Sequence, residues 1–129
     1  MNREIMPSTI APPAANYAHA MLSEHARQLL HVSGVVAARP DGTTPDDVAD
    51  QAAVIWFNIG AILAEAEMAI TDIVSITTYV VVDFMASLPD VMAARDQALD
   101  GHRAASTLVT VPALARPAWK MEVAIVAAH

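Results

Sequence analysis

Ser106-Thr107-Leu108-Val109-Thr110-Val111, a link bounded by Pro112 and Pro117, then Trp119-Lys120-Met121-Glu122-Val123-Ala124-Ile125-Val126-Ala127 close this 129-residue chain. Both runs are rich in β-branched residues, which favour the pleated, half-buried surface of a sheet. Two such runs either side of a Pro-bounded link of about six residues predict an antiparallel hairpin. The second run carries one acid, Glu122. A carboxylate in an apolar run must be paired, hydrogen-bonded or kept partly protonated, because burying a bare charge is costly.

Working upstream, Ile73 to Val82 is nearly all β-branched and predicts a strand buried on both faces. A helix is expected from about Leu88 to Leu99, with Ser87 and Pro89 at its start and Asp100-Gly101 at its stop. Thr44-Pro45-Asp46-Asp47 predicts another helix start: a hydroxyl cap, proline in the first turn and acids at the positive end of the dipole. Behind it Val48, Ala52, Ile55, Ile59, Ile62 and Ala66 recur at spacings of four and three, with Trp56 and Leu63 widening the stripe, to about Glu67. Gly60 inside this helix is expected where packing is close. Trp56, Phe57 and Trp119 are read as core or interface, and Asp46, Asp47 and Asp50 as a solvated helix start.

Tyr17–Leu22 and Gln28–Ser33 predict a hairpin around His25, which would set Tyr17 against Ser33 and His19 against His31. The two histidines then read either as a titratable pair or as unrelated strand residues. Arg39-Pro40-Asp41-Gly42 is a turn, and residues 1–15, with Pro12-Pro13, read as an irregular N-terminal segment. The order is β-β-α-β-α-β-β over one domain, residues 1–129: an α+β fold with two helices on one face of a mixed sheet.

Composition narrows the function. There is no cysteine, which excludes disulfides and thiolate chemistry. The net charge is −7 with seven Lys and Arg and no basic cluster, the opposite of what phosphate binding needs, so no nucleic-acid partner is expected. The five histidines show no metal-ligand spacing, so neither metal nor cofactor is expected. The longest apolar stretch, Ala52 to Ala64, is broken by Asn58, and the N-terminal residues lack a signal-like apolar run; a cytoplasmic chain without a membrane partner is expected. Hydrophobic residues make up 55% and mean hydropathy is +0.40. That excess, alanine-rich though it is, predicts a homo-oligomer.

Five stretches then fall in a familiar order: Pro13-Ala14-Ala15-Asn16-Tyr17, His31-Val32-Ser33-Gly34, Asp72-Ile73-Val74, Ala105-Ser106-Thr107 and Met121-Glu122-Val123. From about residue 12 the chain resembles the Rid/YjgF family, reactive-intermediate (enamine/imine) deaminases once labelled L-PSP endoribonucleases. The resemblance implies a chorismate mutase-like fold and a homotrimer with sites in clefts between subunits. It also implies hydrolysis of small imines or enamines to a carbonyl compound and ammonia. On the matching positions, Tyr17, Ser33, Gly34, Ser106 and Thr107 would face the ligand, and Glu122 would be the acid that positions or activates water.

Two positions depart from the family pattern. Ala105 stands where deaminating members carry an Arg that grips the substrate carboxylate, and Met92 where they carry an Asn. An Arg–carboxylate bond contributes about 1.5–3 kcal/mol, so its loss weakens binding by about one to two powers of ten. Arg103, two residues upstream and so on the same strand face, is a candidate replacement. The expected function is therefore a Rid-like hydrolase of altered substrate preference. The alternatives are a non-catalytic metabolite-binding trimer of the same fold and a structural protein in which Glu122 is merely a satisfied buried acid.

Overall fold

The computed structural model describes residues 1–129. Its element order is β1 (Asn2–Ile5), β2 (Ala20–Ser23), β3 (Leu29–Val35), α1 (Val48–Glu65), β4 (Ile73–Val81), α2 (Leu88–Leu99), β5 (Ala105–Val111) and β6 (Met121–Ala128), with short 3-10 turns either side of β4. β3, β6, β4 and β5 form a mixed four-stranded sheet in that order. β6 runs antiparallel to both β3 and β4, while β5 runs parallel to β4. α1 and α2 cover one face, the α+β arrangement expected.

The pairing of the strands corrects two expectations. β5 and β6 do not form a hairpin: β4 lies between them, and β5 is the edge strand. The residues from Pro112 to Lys120 are a crossover, because α2 has already delivered β5 parallel to β4 on the far side. Nor do β2 and β3 pair. β2 joins β1 in a separate ribbon, Asn2 opposite Ser23, while β3 takes the edge beside β6. The N-terminal segment thus starts as a strand and becomes irregular only after Ile5.

α1 begins later than expected. Asp47, not Thr44, is its cap: the carboxylate accepts from the amides of Ala49 (2.7 Å) and Asp50 (3.3 Å). The carbonyl of Pro45 accepts instead from the buried amide of Gln51, 2.8 Å away. That amide also donates to the Ala118 carbonyl, and its oxygen accepts from the Lys120 amide. Gln51 thereby ties α1 to the start of β6, a polar core residue fully paired, as burial requires.

The core lies between this helix layer and the sheet: Ile55, Ile59 and Leu63 of α1 meet Ile73, Ile76 and Val80 of β4 and Met121, Val123 and Ile125 of β6. Each side chain so buried contributes roughly 1.5–3 kcal/mol. Although α1 is long and apolar enough to cross a membrane by composition, Val48, Ala52, Ile55, Ile59 and Leu63 make it the core helix. Gly60 faces open space rather than a close neighbour, and Phe57 stands 76% exposed on the helix's outer side. α2 keeps its expected bounds, ending at Asp100 (φ 46°) and Gly101 (φ 86°) in the left-handed region.

β4 is not buried on both faces. Ile76, Thr78 and Val80 are closed in under the helices, while Ser75, Thr77 and Tyr79 are half-buried on a face that no helix covers. On that open face the neighbouring strands present Glu122, Ala124 and Val126 from β6, His31 from β3, and Ala105, Thr107 and Val109 from β5.

Candidate functional site

Glu122 is the one acid on the open face of the central strands. Strand alternation turns Met121 and Val123 into the core and Glu122 outward, opposite Tyr79 of β4. On its other side β3 loses register between Val32 and Val35, a bulge at Ser33-Gly34. The bulge makes a notch. A Cβ at Gly34 would fall 1.6 Å from Glu122 Oε1 and 2.4 Å from its carboxyl carbon. The Glu122 side chain, as placed, thus fills the space a Cβ at position 34 would take. The carboxylate takes part in none of the chain's four ion pairs. It is half-buried and lies against Gly34.

A second group lies on the helix side of edge strand β5. Residues 17–18 run alongside the start of that strand, with the Ala18 amide donating to the Ala104 carbonyl at 3.0 Å. This places Tyr17 over a pocket of about 240 Å³ lined also by Ala15, Met92, Arg95, Ser106 and Leu108. The Tyr17 ring stands edge-on to His19, centroids 6.1 Å apart, and His19 Nε2 lies 2.7 Å from the Ala11 carbonyl oxygen. His31 sits across from Val126 on β3. With β2 and β3 unpaired, the expected contacts of Tyr17 with Ser33 and of His19 with His31 do not form.

Arg95 was not among the residues singled out from sequence. Its side chain is 7% exposed. Nε and Nη2 both donate to Asp96 Oδ1, at 3.0 and 2.9 Å, and Nη1 reaches Ser106 Oγ at 3.4 Å. The sequence did carry a signal: Val91, Arg95 and Leu99, the buried residues of α2, recur every four positions, so the arginine interrupts the core stripe itself.

The expected ligand-facing residues thus fall into two groups within one chain. Ser33, Gly34 and Glu122 belong to the notch; Tyr17 and Ser106 belong to the edge pocket, with Met92 in its wall. Ala105 and Thr107 alternate with Ser106 and face the open side. Arg103 is committed elsewhere: Nη2 lies 3.2 Å from Glu4 Oε1 and donates to the Tyr17 carbonyl, which holds residue 17 at the pocket rim. No group of three or more His, Asp or Glu is arranged to hold a metal ion.

A family model described as Endoribonuclease L-PSP matches residues 8–129. No curated protein matches the chain. Among solved structures, YyfB from Yersinia pestis, a protein of unknown function of the conserved Rid family, superposes with a TM-score of 0.90. It is 28% identical, over 99% of this chain and 98% of that one. Rv2704 from Mycobacterium tuberculosis, of the YjgF/YER057c/UK114 family, gives 0.69 at 24% identity, covering 90% of this chain and 89% of its own. E. coli TdcF, solved with bound serine, gives 0.72 at 23%, covering 98% and 99%. These last two share the fold. The family match spans both the notch and the edge pocket, and the chain belongs to the Rid/YjgF, or endoribonuclease L-PSP, family.

Proposed function

We propose that the protein is a Rid-type hydrolase of small imines or enamines, working in the cytoplasm as a homotrimer. The observation that carries this reading is the half-buried Glu122 carboxylate, lying where a Cβ at position 34 would overlap it. A half-buried carboxylate free of ion pairs is suited to accept a proton from water as that water attacks the C=N carbon. Addition of water gives a carbinolamine; its collapse breaks the C–N bond and releases ammonia and the carbonyl compound. The uncovered sheet face supports assembly, since Ala124, Val126 and Val109 gain by leaving water and a neighbouring subunit would complete a cleft over Glu122. That TdcF binds serine supports a small amino-acid-derived ligand for this fold. A net charge of −7 weighs against RNA as the substrate.

A second reading, a metabolite-binding trimer without catalysis, is favoured by Ala105, which removes the expected carboxylate clamp. Ammonia release from imines generated in situ separates the two. Wild type is expected to accelerate release, and Glu122→Gln to lower kcat/KM by about 10²–10⁴-fold. A folded Glu122→Gln protein as active as wild type would move the assignment to the binding reading.

A further inference from the structure

We propose that Arg95, with Ser106 beside it, forms a binding subsite for the carboxylate of a small acid in the edge pocket. Three observations carry it. First, the guanidinium is almost fully buried in the wall of the edge pocket, and a charge is buried only where a partner repays its lost hydration. Second, its present partners leave one edge under-used. Asp96 engages Nε and Nη2 through a single oxygen, whereas Nη1 meets only Ser106 Oγ, at 3.4 Å. Charge-assisted bonds close to about 2.7–2.9 Å. A carboxylate in the pocket would take Nη1 through one oxygen and the Ser106 hydroxyl through the other. Third, the remaining walls (Met92, Leu108 and the Tyr17 ring) are apolar and fit the short chain of a small acid.

Arg103 is placed differently: its Nη2 is engaged by Glu4 and the Tyr17 carbonyl, its Nε is buried without a partner, and it does not line this pocket. Met92 and Arg95, one turn apart on α2, both line the pocket. The inference depends on the imine-hydrolase reading only for the identity of the acid, and its test uses binding rather than turnover.

The probe is 2-oxobutanoate, a keto acid of the product class, with 2-oxobutanamide as its neutral counterpart, titrated into the full-length protein and followed by amide chemical shifts. The acid is expected to bind and to shift Met92, Ser106 and Leu108, while the amide binds about ten- to a hundredfold more weakly. Arg95→Met, which keeps the length and apolar stem, should lose that same factor for the acid and nothing for the amide; Arg95→Lys should recover part of it. Should Arg95→Met fail to fold, the wild-type map still decides. No acid binding, equal binding of acid and amide, or shifts confined to Gly34 and Glu122 would each overturn the proposal. Ammonia release by wild type with these binding results would leave the hydrolase reading standing and the Arg95 assignment fallen; carboxylate binding at Arg95 without turnover would do the reverse.

Discussion

The two faces of the central strands are built from alternate residues of the same segments, yet they obey different rules. Toward the helices, Ile76, Thr78, Val80, Met121, Val123 and Ile125 are 0–3% exposed. Toward the open side, Ser75, Thr77, Tyr79, Glu122, Ala124 and Val126 are half-buried and no helix lies over them. The helix face has its composition set by packing within one chain, where every methylene is felt. The open face mixes Ala and Val with Thr, Tyr and Glu, a composition too polar for a core and too apolar for plain solvent. That mixture is what the proposed ligand cleft and subunit contact would ask of this face.

The largest effect expected from this contrast is on stability. Ile76→Ala should cost about 2–5 kcal/mol, because a buried methylene cluster leaves a cavity the layers cannot close. Thr77→Ala, the next residue on the opposite face, should cost under about 1 kcal/mol. Urea midpoints at two protein concentrations measure both. An equal loss from Thr77 that grows with protein concentration would show the open face to be as closed as the other once copies assemble.

Gly34→Ala tests the notch. Its added Cβ would overlap Glu122 Oε1, so overpacking should cost about 1–3 kcal/mol and turnover should fall with the displaced carboxylate. In a Glu122→Ala background the same substitution should cost much less, because the colliding atoms are gone; a double-mutant cycle reads the coupling. Additive losses would mean that position 34 acts through the backbone of the bulge and not through Glu122.

The helix face was the legible one. The 3.6-residue stripe of α1 and the stop signal of α2 are local patterns, and both helices were recoverable from them. The error at the start of α1 is also local: Thr44, Asp46 and Asp47 all resemble caps, and the choice fell to Asp47 because Gln51 claims the Pro45 carbonyl. Strand partners were not legible. The Pro112–Pro117 link and the His25 turn each join two β-rich runs, and nothing in a turn says that a third strand will intervene between its arms. Of the site, Glu122 and Gly34 could be named through the family motifs, but the atomic reason for the glycine appears only when β3 and β6 are side by side. Arg95 was missed because an arginine on an exposed-looking helix reads as solvated, and only its place in the Val91–Leu99 spacing betrays burial.

The smallest effect is expected where the chain leaves the sheet for the helix layer, at the Arg39–Gly42 turn. The Gly42 amide donates to the Arg39 carbonyl at 2.8 Å, and Asp41 Oδ1 accepts from the Thr43 hydroxyl at 2.7 Å and the Thr43 amide at 2.9 Å. These bonds, the hydroxyl first, favour the charged carboxylate and hold its pKa below the ordinary 3.8. A folded pKa below the unfolded one gives stability that is present above pH 3.8 and lost as pH falls through the lower, folded value. Asp41 is fully solvent-exposed, so screening keeps the contribution small. Asp41→Asn retains an oxygen for Thr43 and removes only the charge. Its thermal midpoint should fall slightly below wild type at pH 7, and the gap should close as the pH is lowered past that window. A gap that persists in strong acid would show that the residue stabilises the crossing through turn geometry alone, leaving no electrostatic difference between the loop and either face of the sheet.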